Sequence, residues 1–400
     1  MANEDVIVVG AGVVGCSLAF HLARAGARVT VLDQGAEVCA GMSARSGALV
    51  RMHYTFAPEA ELAWKSLAYF ANWDQTVGRD REGRGCGFVR TGFAVVVGAP
   101  NADGLRANIA MLRGVGVDTY VVEPADLREL EPAINVDDVV LAAYEPQSGY
   151  ADPVATTRSL AQAAERRGAR FMLNAPVASI DTAGGRARGV IELSGKRHAA
   201  DAVCVAAGPW TDRLLAPLGA AIGIRAERAQ IAFFKRAPTV RHCGCIDTIS
   251  GSYFRPQGAD LTLIGLGDVK AEYEPDPDGF REDNDADFVA EVAERLAHRV
   301  PAMAGASYAR GHAGIYDVSP DSRAVLGPIA GTGGLYVAAG FSGTGFKTAP
   351  AVGAAMAELI LEGRARTVDL TPFGFERLRQ RRLIRGEHEY VMGANFGHKL

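Results

Sequence analysis

Apolar residues follow two different spacings along the chain, and these spacings alternate. Residues 6–9 are a short β-branched run, Leu18 and Leu22 are then spaced as on one face of a helix, and residues 29–32 form a second short run. Short runs of this kind predict buried strands, and the spacing of three to four predicts a helix packed against them. The chain is therefore predicted to open with a strand, a helix and a second strand.

The same patterns predict the elements of the remaining chain. Helices are predicted to begin at Pro58 and at Pro153, because proline is favoured in the first turn of a helix. Other predicted helices cover residues 103–114, 285–300 and 348–362, and strands are predicted within 88–98, 169–173, 176–180, 187–193 and 229–270 and from residues 202 and 335. The Arg-rich stretch 377–385 is predicted to be the solvated face of a helix. No internal repeat or low-complexity linker separates these elements.

Three glycines lie between the first predicted strand and the first helix. Gly10, Gly12 and Gly15 have the G-x-G-x-x-G spacing, and Asp33 ends the second strand. In this motif the glycines allow a tight turn, close approach of a pyrophosphate and close helix packing, and the acidic residue binds a ribose hydroxyl. The motif predicts a dinucleotide site and leaves NAD and FAD open.

Composition and charge narrow the class of partner. The 400 residues are 48% hydrophobic and 22% charged, with a net charge of -4, which predicts a globular protein that binds neither nucleic acid nor a membrane. The start of the sequence lacks the basic region of a signal peptide, so we expect a cytoplasmic protein. The six scattered cysteines are predicted to be reduced thiols, and no metal site is expected.

Four further motifs follow the glycine motif along the chain. The five motifs, taken in this order, resemble those of the FAD-dependent amine oxidoreductases, which include sarcosine oxidase, glycine oxidase, dimethylglycine dehydrogenase and D-amino-acid oxidase. The motifs are MSARSGALVR at 42–51, AAGPW at 206–210, GIYDVSPDSRAVLG at 314–327 and GFSGTGFKTAP at 340–350. The resemblance spans residues 5–362 and favours FAD over NAD.

The resemblance implies an α/β fold in which a Rossmann-type FAD-binding domain is interleaved with an α+β substrate-binding domain built on a mixed sheet. The implied FAD-binding domain comprises 1–87, 146–225 and 308–375, the substrate-binding domain comprises 88–145 and 226–307, and 376–400 form a C-terminal tail. The residues implied to bind FAD are Gly10, Gly12, Val13, Val14, Gly15, Asp33, Gln34, Ser43, Arg45, Ser46, Gly47, Val177, Ala207, Gly208, Trp210, Gly314, Tyr316, Phe341, Gly343, Thr344, Gly345, Phe346 and Lys347.

The resemblance also implies a substrate side. Arg51 and Lys347 match positions that bind the substrate carboxylate in sarcosine oxidases, and Tyr253 matches a tyrosine of the same side. His53 lies two residues beyond Arg51, so on an extended strand both would point to one face, and His53 would accept a proton from the substrate ammonium. His312 is a second candidate for that role.

Three positions depart from the family pattern. Gly314 and Arg45 stand where sarcosine oxidases and dimethylglycine dehydrogenases carry flavin-linking residues, so FAD is expected to bind noncovalently. Thr262 is aligned with a lysine that promotes the oxygen reaction in sarcosine oxidases, so oxygen and another electron acceptor both stay open.

The sequence thus predicts an enzyme that removes a hydride from the carbon next to the nitrogen of an amino acid or of an N-methyl or cyclic amino acid, leaving an imine that water hydrolyses. Two alternatives stay open. One is a 2-hydroxy-acid dehydrogenase with His53 or His312 as base, and the other is a non-catalytic, flavin-holding subunit of a complex. The chain is expected to be a monomer or a homodimer.

Overall fold

A computed structural model describes residues 4–267, 273–274 and 276–391 of the chain. The described residues form these helices: α1 Val13–Arg24, α2 Ala57–Ala71, α3 Trp73–Thr76, α4 Ala102–Val115, α5 Pro124–Leu130, α6 Pro153–Glu165, α7 Thr211–Leu215, α8 Ala286–Arg299, α9 Gly345–Glu362 and α10 Glu376–Arg379.

The strands are the following: β1 Asp5–Val9, β2 Arg28–Leu32, β3 Leu49–Val50, β4 Val89–Arg90, β5 Phe93–Val97, β6 Tyr120–Val122, β7 Leu141–Glu145, β8 Gly149–Tyr150, β9 Arg170–Met172, β10 Val177–Ala183, β11 Arg186–Glu192, β12 Arg197–Ala199, β13 Ala202–Val205, β14 Arg225–Lys235, β15 Gly244–Asp247, β16 Ser252–Gln257, β17 Leu261–Leu266, β18 Tyr273–Glu274, β19 Tyr308–Val318, β20 Val325–Pro328 and β21 Leu335–Ala339.

A six-stranded sheet places the predicted dinucleotide motif. Its order is β20-β21-β13-β1-β2-β9, and every pair is parallel except β20 with β21. The carboxyl ends of the parallel strands meet at one edge, where ligands of open α/β sheets bind. The turns that begin at Gly10, Asp33, Ala206 and Gly340 therefore lie side by side.

Both faces of this sheet are covered, which explains why β1 and β13 are apolar without alternation. Helices α1, α2, α6 and α9 pack on one face, and Phe20 and Leu22 of α1 are fully buried there. The antiparallel sheet β10-β11-β12 covers the other face, where Ile180 and Val190 contact the core that contains Val203. The sheet is thus a buried central layer.

A nine-stranded mixed sheet forms the second body of structure, in the order β18-β14-β17-β16-β15-β5-β7-β6 with β19 paired to β14. Helix α8 covers one face with Phe288, Val292 and Leu296, and α4 covers the other with Leu105 and Ile109. Together with the six-stranded sheet and its helices, this sheet confirms the α/β fold class that the sequence predicted.

Three local predictions need correction. Helix α9 begins at Gly345 rather than at residue 348, so Lys347 lies in its first turn. The helix that begins near Pro58 ends at Ala71, and Trp73 starts a separate short helix. The Arg-rich stretch is helical only over Glu376–Arg379, and Arg377 is buried in an ion pair with Asp321 at 2.8 Å.

The remainder of the predicted tail, residues 392–400, lies outside the described residues, as do residues 268–270 of the strand-rich segment. Within the described parts of the chain, no helix combines the length and the apolar character needed to cross a membrane.

Candidate active site

A cavity of about 560 Å³ lies between the carboxyl edge of the six-stranded sheet and the mixed sheet. It is lined by every residue predicted to bind FAD except Gly15, and also by Arg51 and Tyr253. These residues come from turns far apart in the sequence, and the topology of the two sheets brings them together.

The glycine turn has the geometry that a bound pyrophosphate requires. Gly10 has φ +114°, and a Cβ there would lie 2.4 Å from the Ala206 carbonyl oxygen. A Cβ on Gly15 would lie 1.9 Å from the Gly10 oxygen, so Gly15 serves helix packing, which explains its absence from the lining. A Cβ on Gly12 would sit 3.1 Å from the Ser43 hydroxyl, which accepts the Val13 amide at 2.9 Å.

Asp33 occupies the position expected of a ribose acceptor. One carboxylate oxygen accepts the Ala11 amide and the other accepts the Gly35 amide, both at 2.6 Å. These bonds fix the carboxylate at the cavity wall, and each oxygen keeps a lone pair for a ribose hydroxyl. The residues at this end fit the dinucleotide part of FAD.

The first turn of α9 forms the other end of the cavity. Gly343 has φ +95°, and a Cβ there would lie 3.1 Å from the Tyr316 ring. The carboxylate of Asp317 accepts the Gly340 amide at 2.7 Å, and burial raises the pKa of Asp317 to about 6. These contacts hold the turn before α9, the first residues of α9 line the cavity, and a helix N-terminus favours negative charge.

Arg51 and Lys347 line the cavity beside this turn, and each is 6% exposed. The Arg51 guanidinium donates to the His53 carbonyl, and its Cζ lies 4.6 Å from the centroid of the Tyr54 ring. Nζ of Lys347 lies 6.0 Å from the same centroid. Burial and the nearby Arg51 cation lower the pKa of Lys347 well below its usual value.

A buried ion pair lies behind these two cations. The Arg323 guanidinium donates to the Glu59 carboxylate at 2.6 Å, and both side chains are almost completely buried. Tyr54 and Glu59 were not among the site residues predicted from the sequence. The sequence carries no local signal for them, because their importance arises from contacts across the fold.

An apolar wall lies opposite the cofactor turns. Tyr253 of β16, Ile246 of β15 and Leu266 of β17 line the cavity there, as does Leu49 of β3. Burial raises the pKa of Tyr253 well above its usual value, and its hydroxyl is hydrogen-bonded to Tyr316. The wall therefore presents aliphatic groups and a neutral phenol.

The prediction that His53 shares a face with Arg51 is wrong. Strand β3 ends at Val50, so the two-residue alternation of a strand does not extend to His53. His53 is fully buried and outside the cavity lining, with Nε2 2.6 Å from the Tyr390 hydroxyl. His312 is also outside the lining, and its Nε2 lies 3.2 Å from the Arg45 carbonyl oxygen.

Thr262 also faces away from the cavity. Its hydroxyl lies 2.8 Å from Nε2 of His242, on the buried side of the nine-stranded mixed sheet. The next residue, Leu263, points the other way, and its side chain would lie 3.8 Å from a Cβ on Gly47. Neighbouring strand residues face opposite sides, so the Thr262 side chain lies on the face of β17 that is turned away from the cavity.

The mouth of the cavity carries charged groups. Arg45 pairs with Glu282 at 2.6 Å, and its guanidinium lies 5.5 Å from the Phe280 ring. The Trp210 indole donates to Asp278 at 2.7 Å. These carboxylates are already bound to Arg45 and Trp210, and the Glu282 side chain is exposed.

Comparison with known proteins agrees with this geometry. The glycine oxidase of Geobacillus kaustophilus (strain HTA426) is 28% identical over 378 residues, which cover 93% of this chain and 97% of that protein. The FAD-dependent oxidoreductase domain-containing protein 1 of Bos taurus is 27% identical over 412 residues, covering 94% and 85%.

Solved structures share the fold. The L-proline dehydrogenase from P. horikoshii superposes with a TM-score of 0.85 at 24% identity and covers 96% of this chain and 99% of that one. The glycine oxidase structure from Geobacillus kaustophilus has a TM-score of 0.79 at 26% identity and covers 93% and 98%. The model of the family described as FAD dependent oxidoreductase (DAO) matches residues 5–359, so this chain belongs to that family and is an FAD-dependent oxidoreductase.

Proposed function

We propose that the enzyme removes a hydride from the carbon next to the nitrogen of an amino acid or N-substituted amino acid. The observation that carries this proposal is the position of Arg51 and Lys347. Both line the FAD cavity beside the first turn of α9, and both approach the ring of Tyr54. The names of the relatives, which include glycine oxidase and dimethylglycine dehydrogenase, support an amino-acid-like substrate.

The Arg51 guanidinium would bind the substrate carboxylate. A carboxylate that leaves water for a buried site costs several kcal/mol unless it is paired, and Arg offers it two parallel hydrogen bonds. Lys347 would add a third donor from the first turn of α9. Binding the carboxylate at this point fixes which carbon of the substrate faces the cofactor.

The apolar wall would bind the rest of the substrate. Ile246, Leu266 and Leu49 offer no partner for a second charged group, whereas a methyl group or a small ring on the amine would bury apolar surface against them. This favours N-methyl and cyclic amino acids over those with charged side chains.

The residues that line the cavity would hold FAD, and the bound cofactor would supply a hydride acceptor. The Gly10 turn, Ser43 and Asp33 would hold its dinucleotide part, and the first turn of α9 would face its redox-active end. Neither Gly314 nor Arg45 offers a nucleophile that forms the usual covalent flavin links, so we propose noncovalent binding. The two electrons would then pass from the reduced cofactor to oxygen or another acceptor, and water would hydrolyse the imine formed from the substrate.

The position of the histidines removes the bases that the sequence offered for the 2-hydroxy-acid alternative. Oxidation of an alcohol needs a base for the hydroxyl proton, and neither His53 nor His312 lines the cavity. The presence of Arg51 and Lys347 also disfavours a non-catalytic subunit, since such a subunit gains nothing from two buried cations.

The test uses matched pairs of substrates under anaerobic conditions. L- and D-proline are compared with the enantiomers of tetrahydrofuran-2-carboxylate and with pyrrolidine, and sarcosine is compared with glycolate, while the visible FAD band is followed. We expect only compounds with both the amine and the carboxylate to bleach the flavin. Bleaching by glycolate or another 2-hydroxy acid, without bleaching by any amine, would overturn the proposal.

A further inference from the structure

We propose that Lys347 is the neutral amine in the resting site and accepts the proton of the substrate ammonium. This role rests on the proposed function and deepens it. Amino acids bind from water as ammonium ions, but the carbon next to nitrogen can lose a hydride only when the nitrogen lone pair is free to form the C=N bond. The site therefore needs a proton acceptor, and the histidines do not supply it.

The surroundings of Lys347 favour the uncharged form. The side chain is 6% exposed, and within the described residues no carboxylate comes within 4.0 Å of Nζ. The residue lies in the first turn of α9, where the helix dipole disfavours a cation. Arg51, on the loop after β3, adds a second positive charge nearby, and a buried lysine without a counterion gives up its proton.

The charged groups that act on Lys347 lie on helix α2 and on the loop after β3. Among the elements packed against α9, helix α2 contributes the Glu59 carboxylate, which favours the charged form of Lys347. That carboxylate is already bound to Arg323 at 2.6 Å, so its charge is compensated. The third neighbour is the ring of Tyr54, which is uncharged because burial raises its pKa above the usual range. Arg51 is the neighbouring cation that opposes the charged form of Lys347, and it also interacts with the buried carboxylate of Glu145.

The proton and electron pair balance in this scheme. The N–H proton passes from the substrate ammonium to Nζ of Lys347, which becomes a cation. The C–H bond breaks, its electron pair leaves with the hydrogen to FAD, and the nitrogen lone pair forms the C=N bond. Lys347 thus gains its positive charge in the step before negative charge is delivered to the cofactor beside it, which lowers the cost of that charge.

The first test measures protons rather than turnover. Cyclopentanecarboxylate has the carboxylate and ring of proline but no amine, so it cannot bring a proton of its own. At pH 8 in weak buffer with an indicator dye, its binding to the wild-type holoenzyme should take up about one proton, because the anion favours the charged form of Lys347. Lys347→Arg, a fixed cation, should bind it without proton uptake. Absence of uptake by the wild type would overturn the proposal.

The second test measures the rate of anaerobic flavin reduction at saturating proline or sarcosine from pH 6 to 10. Lys347→Arg and Lys347→Met should both be slowed about 100-fold at pH 7, and their rates should rise about tenfold per pH unit, because only substrate whose amine is already neutral reacts. The exposed lysine on α2 provides the control, and Lys65→Met should behave as the wild type.

A wild-type rate in Lys347→Arg would show that the residue serves only as a cation, and would overturn the proposal. If no amine bleached the wild-type flavin, the proposed function would fail and this role with it. Bleaching by an amine without proton uptake in the first test would overturn the role of Lys347 alone.

Discussion

The hydroxyl of Tyr390 lies 2.6 Å from Nε2 of His53, and the two rings are stacked with centroids 5.9 Å apart. The carbonyl of the same histidine accepts a hydrogen bond from Arg51. A residue near the end of the chain therefore supports the segment that carries the proposed carboxylate ligand. Tyr390, which belongs to the predicted tail, thus packs against the segment that carries Arg51.

Burial of His53 predicts acid sensitivity. Burial and the Arg51 cation lower the pKa of His53 from 6.5 to about 3. As the pH falls below 6.5, His53 is protonated in the unfolded chain but stays neutral in the folded protein. The free energy of unfolding therefore falls by up to ~1.4 kcal/mol per pH unit. In His53→Phe this contribution is lost, and the slope of unfolding free energy between pH 4 and 6 should decrease accordingly.

Tyr390→Phe is the control for that experiment, since it removes the same hydrogen bond but keeps the histidine. It should lower the free energy of unfolding by about 1 kcal/mol at every pH and leave the slope as in the wild type. Denaturant titrations at several pH values measure both quantities. An unchanged slope in His53→Phe would contradict the neutral state of the histidine.

The glycine turn predicts a specific loss of cofactor. Gly10→Ala adds a Cβ 2.4 Å from the Ala206 oxygen at a φ of +114°, which should cost on the order of 3 kcal/mol of unfolding free energy and raise the Kd for FAD at least tenfold. Gly26→Ala is the matched control, because it has φ +92° but no atom within 4 Å of the new Cβ. It should cost about 1–2 kcal/mol and leave the Kd for FAD unchanged, as measured by fluorescence titration.

Arg51 should act on substrates that carry a carboxylate. Arg51→Gln removes charge-assisted hydrogen bonds of about 1.5–3 kcal/mol, so the apparent Kd for proline should rise about 10- to 100-fold. The Kd for cyclopentanol, which lacks the carboxylate, and the Kd for FAD should stay within twofold of the wild type. Equal weakening of all three ligands would show a general disturbance of the site instead of loss of a carboxylate ligand.

The mode of FAD attachment gives a simple prediction. Acid or urea denaturation followed by ultrafiltration should release all the flavin into the filtrate, and the intact mass of the denatured chain should equal the mass calculated from its sequence. A mass increase equal to FAD would contradict noncovalent binding and would direct attention to the residues around Gly314 and Arg45.

The sequence predicts those parts of the fold and site that depend on neighbouring residues. The strand, glycine turn and helix at Gly10 form one local unit, and their spacing alone indicates a dinucleotide site. Arg51 and Lys347 were predicted from the resemblance of whole motifs to a known family. Gly10, Arg51 and Lys347 all line the cavity at the edge where the parallel strands end.

The errors have physical reasons too. The face of His53 was inferred from strand alternation, but β3 is only two residues long and ends before it. Thr262 was aligned with a lysine of the site, but its side chain lies on the face of β17 that is turned away from the cavity. Glu59 and Tyr390 act through contacts with residues hundreds of positions away, and no spacing in a single sequence reveals such contacts.

The proposed reaction breaks a C–H bond on a carbon next to the substrate nitrogen, and an isotope effect on flavin reduction measures this step. Proline deuterated at the α-carbon and proline deuterated at both the α- and δ-carbons are mixed anaerobically with the holoenzyme, and the loss of the visible FAD band is timed against unlabelled proline. If proline bleaches the flavin, we predict a slower bleaching with deuterium at the carbon that loses hydride and a product whose C=N bond lies at that carbon. Bleaching of equal rate with all three compounds, or a product without a C=N bond or its hydrolysis product, would contradict the account.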